Sequence, residues 1–352
     1  MAFKRDNLQD PTPIAEKVKT QSPICEGQLY AHEVLILYYA HKYTTGANSY
    51  EGFWHYKYGI SDMDAQIKSL HDRGFLRIGT LEETMNTATL PTLKNIAKQN
   101  GLKVSGKKND IIQRILSAMD DNSLNILFPD KPYFLTELGQ CVINKENYMK
   151  YIHNQPDQNI NIWNFSEMAH EFPSLPYTEL LQRYYSKQAE NHLRQKQYGS
   201  YRNCIFHMAE LDMEDEHFEN ALIHFFEVTY YDLSGLSNFS DSSQLNEDAS
   251  QLFSYEYSFA KIAPGILSRI VHCKDKLNIS EGELKKMIAA LSVIELPFQI
   301  FTLEECADIL LLEMHQDRIK IENIYRTAKN RYKINHPQKQ NIGGSNGERQ
   351  YL

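Results

Sequence analysis

Six cations crowd between positions 94 and 114: Lys94, Lys98, Lys103, Lys107, Lys108 and Arg114, with Asp110 the one acid among them. The chain around them is acidic, with 37 basic and 45 acidic residues and a net charge of −8. Ammonium and guanidinium groups at this local density bind anions, and a nucleic-acid backbone is the anion that repeats at matching intervals. Ser105 and Gly106 sit in the middle of the block, a hydroxyl donor and a backbone without a Cβ. The acidic balance excludes a nucleic-acid binder that uses its whole surface, so such contact must be local.

Other chemistry has little support. No Gly-rich phosphate loop, H-E-x-x-H or G-x-S-x-G pattern is present. Cys25, Cys141, Cys204, Cys273 and Cys306 are odd in number and far apart, which points to a reducing cytoplasm and argues against structural zinc. His207, His217 and His224 lie among acids at 210–216, but two helical turns separate His217 from His224, roughly 10 Å and too far for one ion. The acid run is better read as a solvated turn. The aromatic stretches NIWNF at 161–165 and EVTYYDLSG at 227–235 lack interleaved cations and read as core. Cys204 and Cys306 lie on apolar stretches without a local His partner and read as buried structural thiols. The expectation is a non-enzymatic protein with no cofactor and no metal.

The basic block is LPTLKNIAKQNGLKVSGKKNDIIQRIL, residues 90–116. Leu93, Ile96 and Ala97 have the spacing of one helix face, and Ile111, Ile112, Ile115 and Leu116 that of a second. Gly101 suits the left-handed end of the first helix. Leu102 and Val104 are expected to point inward from a tight turn, and Ser105 to cap the second helix. The GL-x-V-x-G-K-K core followed by D-x-I-x-x-I resembles a SAP motif, a small helix–extended turn–helix module of DNA-associated proteins. The resemblance implies contact with double-stranded DNA, often A/T-rich, through Lys103, Ser105, Gly106, Lys107 and Lys108. With the other cations of the block, the candidate DNA-binding set is Lys94, Lys98, Lys103, Ser105, Gly106, Lys107, Lys108 and Arg114. The competing reading is a solvated helical hairpin whose lysines serve solubility.

The surrounding elements predict a mainly α protein. Residues 1–27 read as a polar arm, and 28–150 as a winged-helix-like domain with the SAP module at 86–120. AHEVLILYYAHKYT is its first helix, EGFWHYKYGI its aromatic second, and DMDAQIKSLHDR its third, capped by Ser61 and ended by Gly74. Residues 75–78 and 133–135 are expected to pair as the wing, with the module inserted at its tip. The third helix opens with Asp62 and Asp64, which repel phosphates, and Lys68, His71 and Arg73 compensate only modestly. It is read either as base-reading or as a protein contact.

Residues 160–335 have helical periodicity throughout and read as an all-α region with hairpins resembling tetratricopeptide repeats. Met208–Ala209 and Phe218, Ala221 and Phe225 carry that resemblance. A loop is expected at 237–250, helices at about 254–275, 280–293, 303–316 and 319–333, and a disordered tail at 336–352. The layout resembles SAP-domain proteins of prophages and mobile elements of Gram-positive bacteria. No apolar run reaches membrane-spanning length. A lone module implies weak affinity, so a homodimer or a second contact is expected. A rival reading makes the helical half the working part, binding a protein or peptide, as in peptide-sensing regulators.

Overall fold

Helical periodicity carries through to the computed structural model, which describes residues 12–155, 160–236, 253–291, 293 and 295–335. The chain divides into two compact units, 1–175 and 176–352.

The first unit is built round α2 (Ala31–Tyr39), in which every residue from Ala31 to Leu37 is buried. A helix buried on all sides has to be a core helix, and its polar His32 and Glu33 are met by Gln66 and Arg73. Around it lie α1 (Ile14–Thr20), the short aromatic α3 (Phe53–Tyr56) and α4 (Met63–Asp72). Trp54 and Tyr58 are buried, as are Met63, Ile67 and Leu70 along one face of α4. The expected polar arm is therefore corrected over its described part: Ile14 donates to the Gly59 carbonyl at 2.9 Å, and Cys25 is buried. Its apolar positions are too few for a periodicity signal but enough to dock a seven-residue helix. The α4 cap is Asp62, accepting from the Ala65 N–H at 2.9 Å, not Ser61.

Strand β1 (Leu76–Ile78) pairs antiparallel with β2 (Tyr133–Leu135), Arg77 opposite Phe134. Thr136 closes the ladder: its hydroxyl donates to the Gly74 carbonyl at 2.7 Å and accepts from Gly139 N–H at 3.2 Å. A Cβ on Gly139 would lie 2.3 Å from the Phe75 carbonyl oxygen, so only glycine lets helix and strand approach this closely. Beyond β2 come α9 (Glu137–Lys145), α10 (Met149–Asn154) and α11 (Ile162–Glu171). The unit thus runs past the boundary expected at 150–160. Phe165 and Ser166 are buried, and Tyr148 donates to Ser166 Oγ at 3.0 Å and to Glu146 at 2.6 Å.

The 54 residues between the strands (79–132) form a four-helix substructure: α5 (Leu81–Thr87), α6 (Leu90–Gln99), α7 (Lys108–Ala118) and α8 (Asp121–Leu127). Met85, Leu93, Ile96, Ala97, Ile111, Ile112, Ile115, Leu124 and Phe128 make one continuous apolar cluster. All nine come from within this segment, so the module has its own core.

The second unit begins with α12 (Tyr177–Arg194), α13 (Tyr198–Glu214) and α14 (Phe218–Ser234), packed in succession. It continues with α15 (Pro264–Leu277), α16 (Glu281–Ala289), α17 (Leu303–Met314) and α18 (Arg318–Asn335). The helix expected from about 254 starts ten residues later, at Pro264, since proline fits a first turn where its missing N–H is no loss. One turn recurs four times among the described residues of this unit. Lys196, Glu216, Asn278 and Gln316 adopt φ of 58°, 59°, 52° and 55°, and each following N–H reaches back to a carbonyl five residues earlier. Ala209, Ala221 and Phe225 are buried in these hairpins. The loop at 237–250 and the tail at 336–352 lie outside the described residues.

Candidate nucleic-acid interface

The basic module is shaped by its apolar faces and by one arginine. Thr89 caps α6, and Gly101, at φ 68°, ends it while the Leu102 N–H returns to the Ala97 carbonyl at 2.8 Å. The chain then runs extended through Lys103–Gly106 into α7. Arg114, one helical turn further along α7 than Asp110, reaches back under this segment. Its guanidinium donates to the Lys103 carbonyl and, at 2.6 Å, to the Ser105 carbonyl. A forked, planar donor suits two carbonyls spaced along an extended strand. Gly106 has φ 118°, and a Cβ there would meet Arg114 Nη2 at 2.8 Å and Asp110 Oδ2 at 3.0 Å.

Two expectations are corrected here. Ser105 does not cap α7: the cap position is Lys107, whose N–H is taken by Asp110 Oδ2 at 2.9 Å, and the Ser105 carbonyl is used by Arg114. Val104 does not point inward; it is 39% exposed, because only Leu102 reaches the apolar cluster. Arg114 braces the turn through two of its donors.

The eight candidates separate by what they already touch. Lys108 is half-buried, and its ammonium donates to the Asn86 carbonyl at 2.6 Å, holding the end of α5. Lys94, Lys98, Lys103 and Lys107 are exposed, and no ion pair or side-chain hydrogen bond engages them among the described residues. Lys94 and Lys98 are one turn apart on α6, so they share a face. Ser105 and Gly106 are exposed between Lys103 and Lys107, with the first turn of α7 directly behind. The Asp110 carboxylate sits in that first turn and accepts from the Lys107 N–H, so it offsets the positive end of the helix dipole there. Four free ammonium groups and one hydroxyl are suited to phosphate oxygens.

The module is also anchored. Glu83 accepts from Thr80 N–H at 2.8 Å and takes both terminal nitrogens of Arg77, on β1, at 2.8 and 2.7 Å. The Arg77 guanidinium holds the Glu83 carboxyl down to about 2. At the return end, Thr45 N–H donates to the Lys131 carbonyl at 2.9 Å.

Residues 85–120 match the family model of the SAP domain. The SAP domain is in general a DNA-binding module, and here it runs from the last turn of α5 through α6 and α7. No curated protein matches the chain.

Helix α4 of the first unit contrasts with the SAP domain. Lys68 pairs with Asp72 at 2.5 Å, His71 lies 3.3 Å from Asp72, and Arg73 pairs with the buried Glu33 at 2.5 Å. Tyr50 donates to Asp64. Every cation of α4 is thus compensated within the protein. Elsewhere, His224 is held by Asp212 at 2.7 Å, and among the described residues no three His, Cys, Asp or Glu side chains gather as a metal would need. Burial raises the thiols of Cys25 to about 12 and Cys273 to about 11, and raises Cys306 as well, which makes them poor nucleophiles. No helix among the described residues is long and apolar enough to cross a membrane.

Proposed function

We propose that the chain is a non-enzymatic DNA-binding protein that grips double-stranded DNA through Lys94, Lys98, Lys103 and Lys107 of its SAP domain. One observation carries this reading. The module spends Lys108 and Arg114 on its own backbone carbonyls, yet leaves these four lysines exposed and unpaired around a braced turn. Unpaired surface charge of one sign is costly to keep together unless an opposite charge arrives from outside. Ser105 and Gly106 let a phosphate come close to the turn backbone.

We further read residues 28–80 and 131–150 as a winged-helix-like body, supported by the β1–β2 pairing and by the module leaving and returning through that ladder. The body would carry the SAP domain, and α4 would face protein rather than DNA. We read the role as regulatory or mobile-element associated, in the cytoplasm, on the resemblance of the sequence layout alone.

A fluorescence-anisotropy titration against A/T-rich and mixed duplexes at several salt concentrations tests the reading. If four phosphates are neutralised, log K falls with log salt at a slope of about −3.6. Binding that ignores salt, or whose affinity and salt slope are unchanged by reversal of all four lysines, overturns it. A second reading, a protein or peptide adaptor, is favoured by the repeated hairpin turn at 196, 216, 278 and 316. It requires full-length protein to capture a partner equally well after those lysines are reversed.

A further inference from the structure

The second unit has a basic element that rivals the SAP domain. Helix α18 contains Arg318, Lys320, Arg326, Lys329, Arg331 and Lys333 against the single acid Glu322. Six cations against one acid in eighteen residues equals the charge of the 90–116 block. The sequence before it is the reverse: from Glu295 to Asp317 there are six acids and no Lys or Arg. The positive charge therefore belongs to this helix and not to a generally basic region.

Side-chain partners sort these cations by face. Arg331 is held by both oxygens of Glu305 at 2.8 and 2.6 Å and by the Ile300 carbonyl at 2.8 Å. Lys320 pairs with Asp317 at 2.8 Å. Both point to the side that faces the protein's own acids. At 100° per residue, Arg318, Arg326, Lys329 and Lys333 fall together in a stripe roughly 80° wide and about 22 Å long. Arg318, Arg326 and Lys333 are exposed, and Lys329 is half-buried at the stripe's edge. No acidic side chain pairs with these four among the described residues; Arg326 touches only the Asn323 side-chain oxygen. The buried face is occupied by Ile321, Tyr325 and Ala328, so the stripe is not needed for packing. Glu322 is the single opposing charge within it.

We infer that this stripe of α18 is a second phosphate-backbone contact, for a nucleic-acid duplex. A row of cations at helical spacing, without paired acids or an apolar strip between them, matches a polyanion better than a peptide, which would need apolar anchors. The choice of a duplex rests on the DNA-binding reading of the SAP domain. Two weak backbone contacts on one chain raise the overall affinity well above either alone.

The test uses full-length protein and a 30-base-pair duplex, read by anisotropy from 50 to 200 mM salt. Three variants are compared: Arg326, Lys329 and Lys333→Gln; Lys94, Lys98, Lys103 and Lys107→Gln; and both sets combined. Far-ultraviolet circular dichroism verifies that each is folded. The α18 variant is expected to reduce the salt slope by about 0.9 for each cation that meets a phosphate, up to about 2.7. The combined variant should abolish the binding that the SAP variant retains. An unchanged slope in the α18 variant, with the SAP variant weakened, overturns this inference and leaves the SAP reading standing. Loss in the α18 variant alone sustains the inference and overturns the SAP reading. No binding by the unaltered protein overturns both.

Discussion

The SAP domain and helix α4 both carry a group of cations, yet they treat those cations in opposite ways. In α4 the acids come first, and Lys68, His71 and Arg73 are each met by a carboxylate at hydrogen-bond distance. In the basic block of the SAP domain, residues 94–114, the one acid, Asp110, is absorbed by the Lys107 N–H, and four lysines remain open. A cation already paired gives little to a phosphate, because the new contact only replaces the old one. The difference teaches that counting cations does not locate an interface; counting those without an internal partner does.

The two regions also differ in what holds them together, and that comparison breaks most sharply in acid. Burial depresses His32 to about 3 and His153 to about 4, the latter helped by Lys57. Both lie in the body of the first unit, and residues 81–128 contain no histidine. A histidine whose folded pKa is depressed contributes fully above its unfolded value near 6.5 and loses that contribution as pH falls. At pH 5 the loss is about 2 kcal/mol for each of the two. The four-helix module at 79–132, whose Glu83 stays ionised down to about 2, should begin to lose stability only below about 4.5. Both tryptophans, Trp54 and Trp163, are in the body. Tryptophan fluorescence should therefore shift at a higher pH than the amide resonances of Gly101 and Gly106. Simultaneous transitions would show that the module has no independent core.

Ile112→Ala tests the same independence from the other side. It removes a fully buried side chain from a nine-residue cluster and should cost about 3 kcal/mol. The module resonances should collapse while Trp54 keeps its native emission. Reversal of Lys94, Lys98, Lys103 and Lys107 to Glu should leave both cores intact and lower duplex affinity roughly a hundredfold at low salt, with most of the salt slope gone. Arg114→Gln should weaken binding several-fold without lowering the slope, since its charge is spent on the carbonyls of Lys103 and Ser105. Arg114→Lys, which keeps the charge but not the fork, should not restore it. A slope reduced by about one in Arg114→Gln would mean that this arginine meets a phosphate after all. The smallest effect belongs to α4: Lys68→Ala should change duplex affinity by less than about twofold, because Asp72 already neutralises that lysine.

Much of this was legible beforehand where the signal was local. The helix faces of α6 and α7 follow from spacing, Gly101 and Thr136 from turn and cap chemistry, and the β1–β2 partners from two short apolar runs. Less legible were features that depend on distant partners. Ser105 resembles a cap by type, but Asp110 competes for the start of α7 and wins. Helices α5 and α8 are hard to read from sequence, because Met85, Leu124 and Phe128 have no periodic company of their own. The stripe on α18 is faint in the sequence because its cations are spread over four turns rather than bunched.

By itself, the sequence determined which residues are charged and which helix faces are apolar, since spacing and side-chain type set these without reference to the rest of the chain. It also determined that the basic block would be a helix–turn–helix module. Tertiary structure alone decided which cations stay open. Pairing needs an acid or a carbonyl within about 3 Å. Whether Glu33 reaches Arg73, or Asn86 reaches Lys108, depends on segments folded together across 40 and 22 positions of chain.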